Sequence, residues 1–134
     1  MVIPKTAVRL AAESPVKPKT FTIQWHITER CNWRCKHCYQ EVSRRPADLS
    51  LDQLFHILDN CLSLNLSRDK KVNFTITGGE PMIRNDFFTF AERLARDLDD
   101  CGYEWRILSN GSFITEESAR KLSDLNLKSF QISM

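Results

Sequence analysis

No apolar run in this sequence approaches the roughly 20 residues that a membrane-spanning helix needs. The first twenty residues, MVIPKTAVRLAAESPVKPKT, lack the apolar stretch of a secretory signal. Net charge is also scarce. Nineteen Lys and Arg stand against seventeen Asp and Glu, leaving +2. That balance gives no polyelectrolyte signal, so neither nucleic acid nor a membrane is an expected partner. No internal repeat or low-complexity segment stands out. These absences leave an ordinary globular chain, expected to be cytoplasmic, with 134 residues for one domain and its core.

A disulfide framework is missing too. The five cysteines are odd in number, and Cys31, Cys35 and Cys38 fall within eight residues. Such crowding in a reducing compartment favours metal ligation over disulfides. Cys61 and Cys101 stand alone and read as small apolar fillers.

Residues 1–20 hold three of the five prolines and are expected to form a loosely ordered lead-in, with a short helical turn over 7–12. From Phe21 the chain alternates between two periodicities. Phe21–Ile27 (FTIQWHI) is rich in β-branched and aromatic residues and predicts a first strand. After the cysteine loop, Ser50 and Gln53 have capping-box spacing. Leu51, Leu54, Phe55, Leu58, Cys61 and Leu62 then follow as one helical stripe. Val72–Thr77 predicts a second strand. Asn85 is the expected cap of a second helix whose Phe87, Phe88, Phe90, Ala91, Leu94, Ala95 and Leu98 face inward. Tyr103–Leu108 predicts a third strand. Thr115 caps a third helix, with Glu116 and Glu117 at its positive end. Leu127–Ser133 predicts a fourth strand.

The order βαβαβαβ implies a parallel sheet with right-handed crossovers. A four-stranded parallel sheet ending at its last strand would leave apolar faces and an edge uncovered. The expected architecture is therefore α/β, a partial (β/α) barrel over residues 21–134. Its remainder is expected from a longer chain or a second polypeptide.

The strongest chemical signal is Cys31-Asn-Trp-Arg-Cys35-Lys-His-Cys38. Three thiolates so close together can each bind one iron of a cubane cluster. The fourth iron then lacks a protein ligand, whereas electron carriers close all four corners with cysteine. An open metal position is where a cofactor or substrate binds. Spacing alone also allows a zinc site, with His37 or a distant residue as the fourth ligand. Three further motifs follow later strands: Thr77-Gly78-Gly79-Glu80-Pro81, Ser109-Asn110-Gly111 and Gln131-Ile132-Ser133-Met134. In parallel α/β folds the C-terminal ends of strands share one rim, where ligands bind. Taken alone, Gly78-Gly79 would be a plain turn and Ser109-Asn110-Gly111 an ordinary loop.

These four ordered motifs resemble those of the radical S-adenosylmethionine (radical SAM) enzymes, over about residues 21–134. The third has Ser where the family commonly has Thr. The resemblance implies a 4Fe-4S cluster on Cys31, Cys35 and Cys38, with the methionine amine and carboxylate of S-adenosylmethionine on the open iron. It implies reductive cleavage to methionine and a 5′-deoxyadenosyl radical that abstracts hydrogen from a substrate. It also implies a low-potential electron donor of the flavodoxin or ferredoxin type. Gly78 and Gly79 would let the backbone approach the methionine, Glu80 would accept hydrogen bonds from its amine, and Pro81 would stiffen the turn. Ser133 is the first candidate for a ribose hydroxyl, with Asn110 second. His37 stands where the family has an aromatic residue beside the adenine, and Tyr39 is the alternative. His37-Cys38-Tyr39 together with Thr-Gly-Gly-Glu-Pro is most similar to the subgroup with extra C-terminal clusters (SPASM-type), which implies a peptide substrate. The alternatives from other classes are an iron–sulfur electron carrier or sensor and a zinc-stabilised interaction module.

Other conspicuous residues have ordinary explanations. His26 alternates within the first strand and is expected to pack in a barrel. His56 is expected at the surface or its boundary. Trp25, Trp33 and Trp105 are expected to pack in the core or the loops. Arg68-Asp69-Lys70-Lys71 is expected to be a solvated turn.

Overall fold

The computed structural model describes residues 19–40, 47–64 and 70–133. The expected lead-in through residue 18, its short helical turn included, lies outside them, as do Arg68 and Asp69. Four strands alternate with three helices: β1 (Lys19–His26), α1 (Leu51–Ser63), β2 (Lys70–Thr77), α2 (Phe87–Asp100), β3 (Glu104–Ser109), α3 (Glu116–Asp124) and β4 (Ser129–Ile132). A 3₁₀ turn at Pro81–Ile83 separates β2 from α2. The strands pair in sequence order and all in parallel. This four-stranded parallel sheet with flanking helices is consistent with a partial (β/α) barrel.

Strand alternation divides the sheet into two unlike faces. The register places Ile23 beside Phe74 and Trp25 beside Ile76. It also places Phe74 beside Trp105, Ile76 beside Ile107, and Ile107 beside Phe130. These apolar residues meet the helices: Trp25 lies edge-on to Phe90 of α2, with centroids 5.3 Å apart. Leu54 and Leu58 of α1 and Phe87, Phe90, Leu94 and Leu98 of α2 complete a fully enclosed core. Burying one such side chain stabilises by about 1.5–3 kcal/mol. The other face carries Thr22, Gln24, His26, Asn73, Thr75, Glu104, Arg106 and Gln131, and is polar almost throughout.

The helix starts follow the expected chemistry in two cases of three. The Ser50 hydroxyl accepts the Gln53 amide N–H at 3.2 Å, and the Gln53 side chain accepts the Ser50 N–H at 2.9 Å. At α3, Thr115 accepts from the Ser118 amide at 3.1 Å and the Ser118 hydroxyl accepts the Thr115 N–H at 2.8 Å. At α2 the expectation of Asn85 is wrong. Asp86 holds the cap position and makes no capping bond. Its carboxylate is occupied by Arg84, with contacts of 2.8 and 2.9 Å, and the guanidinium holds its carboxyl below the usual carboxylate range.

Three smaller expectations also need correcting. β1 and β2 begin earlier than their apolar runs, because Lys19 and Thr20 pair with Lys70 and Lys71. Lys71 is thus a strand residue, and its ammonium lies 2.9 Å from Glu104. His26 is exposed rather than packed, since it falls on the open polar face. Phe88 is only half-buried, one position off the inward stripe of α2.

Candidate functional site

The described residues of all four motifs lie at the C-terminal ends of the strands, and backbone pairing draws the first two together; Met134 lies outside the described residues. Gly79 N–H donates to the Thr28 carbonyl at 2.9 Å, and Glu80 N–H donates to the Arg30 carbonyl at 2.7 Å. The two glycines are what permit this approach. A β-carbon on Gly78 would lie 2.3 Å from the Thr28 oxygen, and one on Gly79 would lie 2.2 Å from the Arg30 oxygen. Gly78 also has φ of +150°, a conformation that L side chains rarely adopt. Close approach to a ligand was the expected reason for both glycines. Here their bare side faces the backbone of the cysteine loop.

Glu80 is fully enclosed at 0% exposure, and its carboxylate ties the second motif to the third. The Ser109 hydroxyl donates to its two oxygens at 2.9 and 3.1 Å, and the Asn110 N–H donates at 2.7 Å. Met82 N–H adds a fourth contact at 3.1 Å. A buried carboxylate held by several hydrogen bonds is a fixed anchor, because leaving those donors unpaired would be costly. Asn110 carries the connection back to the cysteine loop. Its Nδ2 donates to Asn32 Oδ1 at 3.0 Å and lies 3.9 Å from Cys31 Sγ. Ser133 closes the rim on β4, with its N–H on the Ser109 carbonyl at 2.9 Å and its hydroxyl on the same oxygen at 3.3 Å.

The cysteine loop is clasped where it leaves β1 and where it returns before α1. Arg84, with only 4% of its side chain exposed, donates to the Ile27 carbonyl at 3.1 Å and to the Leu49 carbonyl at 3.0 Å. Asp48 accepts from the Thr28 hydroxyl and from Arg30 Nε, each at 2.7 Å. Gln40 donates to the Gly78 carbonyl at 3.0 Å. None of Arg84, Asp48, Thr28 or Gln40 was singled out from sequence. An arginine embedded in the apolar run Pro81-Met82-Ile83-Arg84 was the available signal, since a buried guanidinium demands partners.

The other expected residues are less engaged. Cys31 is half-buried and its sulfur accepts the Trp33 N–H at 3.4 Å, while Cys35 and Cys38 are exposed. Cys38 N–H bonds the Cys35 carbonyl at 3.1 Å, forming a tight turn. His37 is exposed. Tyr39 is 77% exposed, with its hydroxyl 3.4 Å from His26 Nε2. Pro81 is buried and opens the 3₁₀ turn. Cys61 is half-buried on α1, and burial pushes its thiol up; Cys101 is exposed. Among the described residues no three Cys, His, Asp or Glu side chains stand together as a metal-binding group. What suits the loop to a cluster is its donor set: three free thiols on an irregular, accessible segment anchored at both ends.

No helix among the described residues is long and apolar enough to cross a membrane. The sequence model of the Radical SAM superfamily matches residues 25–134. An S-adenosylmethionine-dependent nucleotide dehydratase from Fibrobacter sp. (strain UWH6) is 34% identical over 101 residues, covering 72% of this chain and 29% of that protein. The crystal structure of BtrN in complex with AdoMet and 2-DOIA superposes with a TM-score of 0.64 at 18% identity, over 84% of this chain and 45% of that one. Streptococcus suis SuiB bound to the precursor peptide SuiA superposes with a TM-score of 0.58 at 16% identity, over 79% and 22%. The chain thus spans about three tenths of the length of that curated relative.

Proposed function

This chain belongs to the radical SAM superfamily, and from that premise we propose that its sheet rim binds a 4Fe-4S cluster and S-adenosylmethionine to initiate radical chemistry on a substrate. Cys31, Cys35 and Cys38 would hold the cluster. A reduced cluster held there would supply the one electron needed for reductive cleavage of S-adenosylmethionine. The observation that carries the reading is the convergence of the motifs. Gly79 and Glu80 bond Thr28 and Arg30, and Asn110 reaches from Glu80 to beside Cys31.

The chain's own residues hold this arrangement. Arg84 and Asp48 fix the ends of the cysteine loop, so ordering it on a cluster costs less conformational entropy. Glu80 acts by holding the Asn110 loop against the cysteine loop, and the Gly78–Glu80 backbone would border the bound cofactor at the rim. Ser133 and Asn110 are the proposed ribose contacts, and His37 or Tyr39 the adenine contact, all three motifs being at the same rim. The electron would come from a low-potential flavodoxin- or ferredoxin-type donor. The pairing of His37-Cys38-Tyr39 with Thr-Gly-Gly-Glu-Pro supports placement among enzymes with additional C-terminal clusters. A peptide substrate is the corresponding proposal.

The test is anaerobic reconstitution followed by incubation with dithionite and S-adenosylmethionine, with chromatography for 5′-deoxyadenosine. Product formation that is lost in C31A, C35A and C38A supports the reading. Reconstituted protein that holds iron and yields no 5′-deoxyadenosine counts against it.

A further inference from the structure

Below the rim, the sheet face turned away from the helices carries an arginine whose side chain has no acidic partner among the described residues. The register sets Gln24 beside Thr75, Thr75 beside Arg106, and Arg106 beside Ser129. This row of hydrogen-bonding side chains crosses all four strands. One row further down, Thr22, Asn73 and Glu104 are neighbours. Glu104 is the acidic member, and it is already taken: Lys71 Nζ lies 2.9 Å and Lys128 Nζ 3.3 Å from its carboxylate. The side chain of half-buried Arg106 makes no hydrogen bond or ion pair among the described residues, and its Nε is buried without a partner. Asn73 is only 6% exposed and its Oδ1 is likewise buried and unpartnered.

Buried polar atoms are nearly always satisfied. Two such atoms on adjacent strands of one face, beneath a rim of functional loops, call for a ligand that satisfies them. We infer that Arg106 and Asn73 form the deep end of the substrate site and bind an anionic group, carboxylate or phosphate, on a polar substrate. The guanidinium fork matches either anion. Asn73 Oδ1 takes an N–H or O–H of the same ligand. Arg106 precedes the rim residue Ser109 by three positions, so its backbone lies roughly 10 Å below the loops. The assignment of this ligand as substrate rests on the proposed function; the anion site itself rests on the sheet face alone.

Calorimetric titration of the full chain with inorganic pyrophosphate and, separately, with succinate tests the inference. At least one probe should bind the wild type, and R106Q should weaken it tenfold or more. N73D should weaken it similarly, because the new carboxylate occupies the guanidinium. Circular dichroism checks that each variant folds. If R106Q does not, N73D and R106K carry the test, with R106K retaining part of the affinity. Pyrophosphate binding alone identifies a phosphorylated ligand, and succinate binding alone a carboxylate. Absence of wild-type binding to both probes, or equal binding by folded variants, overturns the inference. Arg106-dependent binding in a protein whose cluster ignores S-adenosylmethionine leaves the anion site standing and removes the proposed function.

Discussion

Replacing Arg84 with Gln should release both ends of the cysteine loop at once. The guanidinium is 4% exposed and serves the Ile27 carbonyl, the Leu49 carbonyl and both oxygens of Asp86. Glutamine is too short to reach all of these, so two carbonyls and a carboxylate lose their donor. Leaving a buried acceptor unpaired costs about 1–3 kcal/mol, and removing one partner of a buried ion pair costs about 3–5 kcal/mol. Asp86 is partly exposed and water replaces some of what it loses, so the expected destabilisation is about 3 kcal/mol, towards the lower end of that range. Urea denaturation of wild type and R84Q measures it. The pH dependence supplies a second check. Arg84 lowers the Asp86 pKa in the folded state, so this pair stabilises above the unfolded carboxyl value and the benefit fades as pH falls through the lower folded value. The gap between wild type and R84Q should therefore be fully present at pH 7 and narrow on the acid side, below about pH 4. Iron retained after reconstitution should fall in R84Q. A loss under about 1 kcal/mol with unchanged iron content would refute the clasp, since surface substitutions sit in that range.

Four further outcomes follow from particular contacts. G79A should lose iron binding and about 1–3 kcal/mol of stability, because its β-carbon collides with the Arg30 carbonyl; equal iron content by colorimetric assay would contradict this. E80Q should cost about 1–3 kcal/mol in urea, because its amide N–H₂ meets donors where a carboxylate accepted them. T115A should cost about 1 kcal/mol by the same measurement, through loss of the α3 cap, without changing iron content. Cys61 should react with iodoacetamide more slowly than exposed Cys101 at pH 8, because burial raises its thiol; mass-spectrometric peptide mapping reads the order.

The strands and helices were legible because each carries a strong local pattern. Val72–Thr77 alternates within β-branched and aromatic residues, and the α2 stripe repeats at helical spacing. Strand beginnings were missed at Lys19 and Lys70, where lysines contribute backbone pairing but no apolar signal. The capping role given to Asn85 failed because the helix starts one residue later, at Asp86, whose carboxylate is engaged by Arg84 rather than by the helix amides. The cysteine spacing and the family resemblance singled out the four motifs, and their position at one rim followed from strand order. The work of Glu80 and the glycines was not legible. Thr28, Arg30, Ser109 and Asn110 are distant in sequence and meet them only in the folded sheet. The same holds for Arg106, which lacks an acid partner among the described residues because Glu104 is taken by Lys71 and Lys128.

Electron paramagnetic resonance of the reconstituted, dithionite-reduced protein, with and without S-adenosylmethionine, tests the central claim most directly. The account predicts a four-iron signal that changes when the cofactor is added, as an iron without a protein ligand requires. A four-iron signal identical in both samples, or no iron–sulfur signal at all, would contradict it.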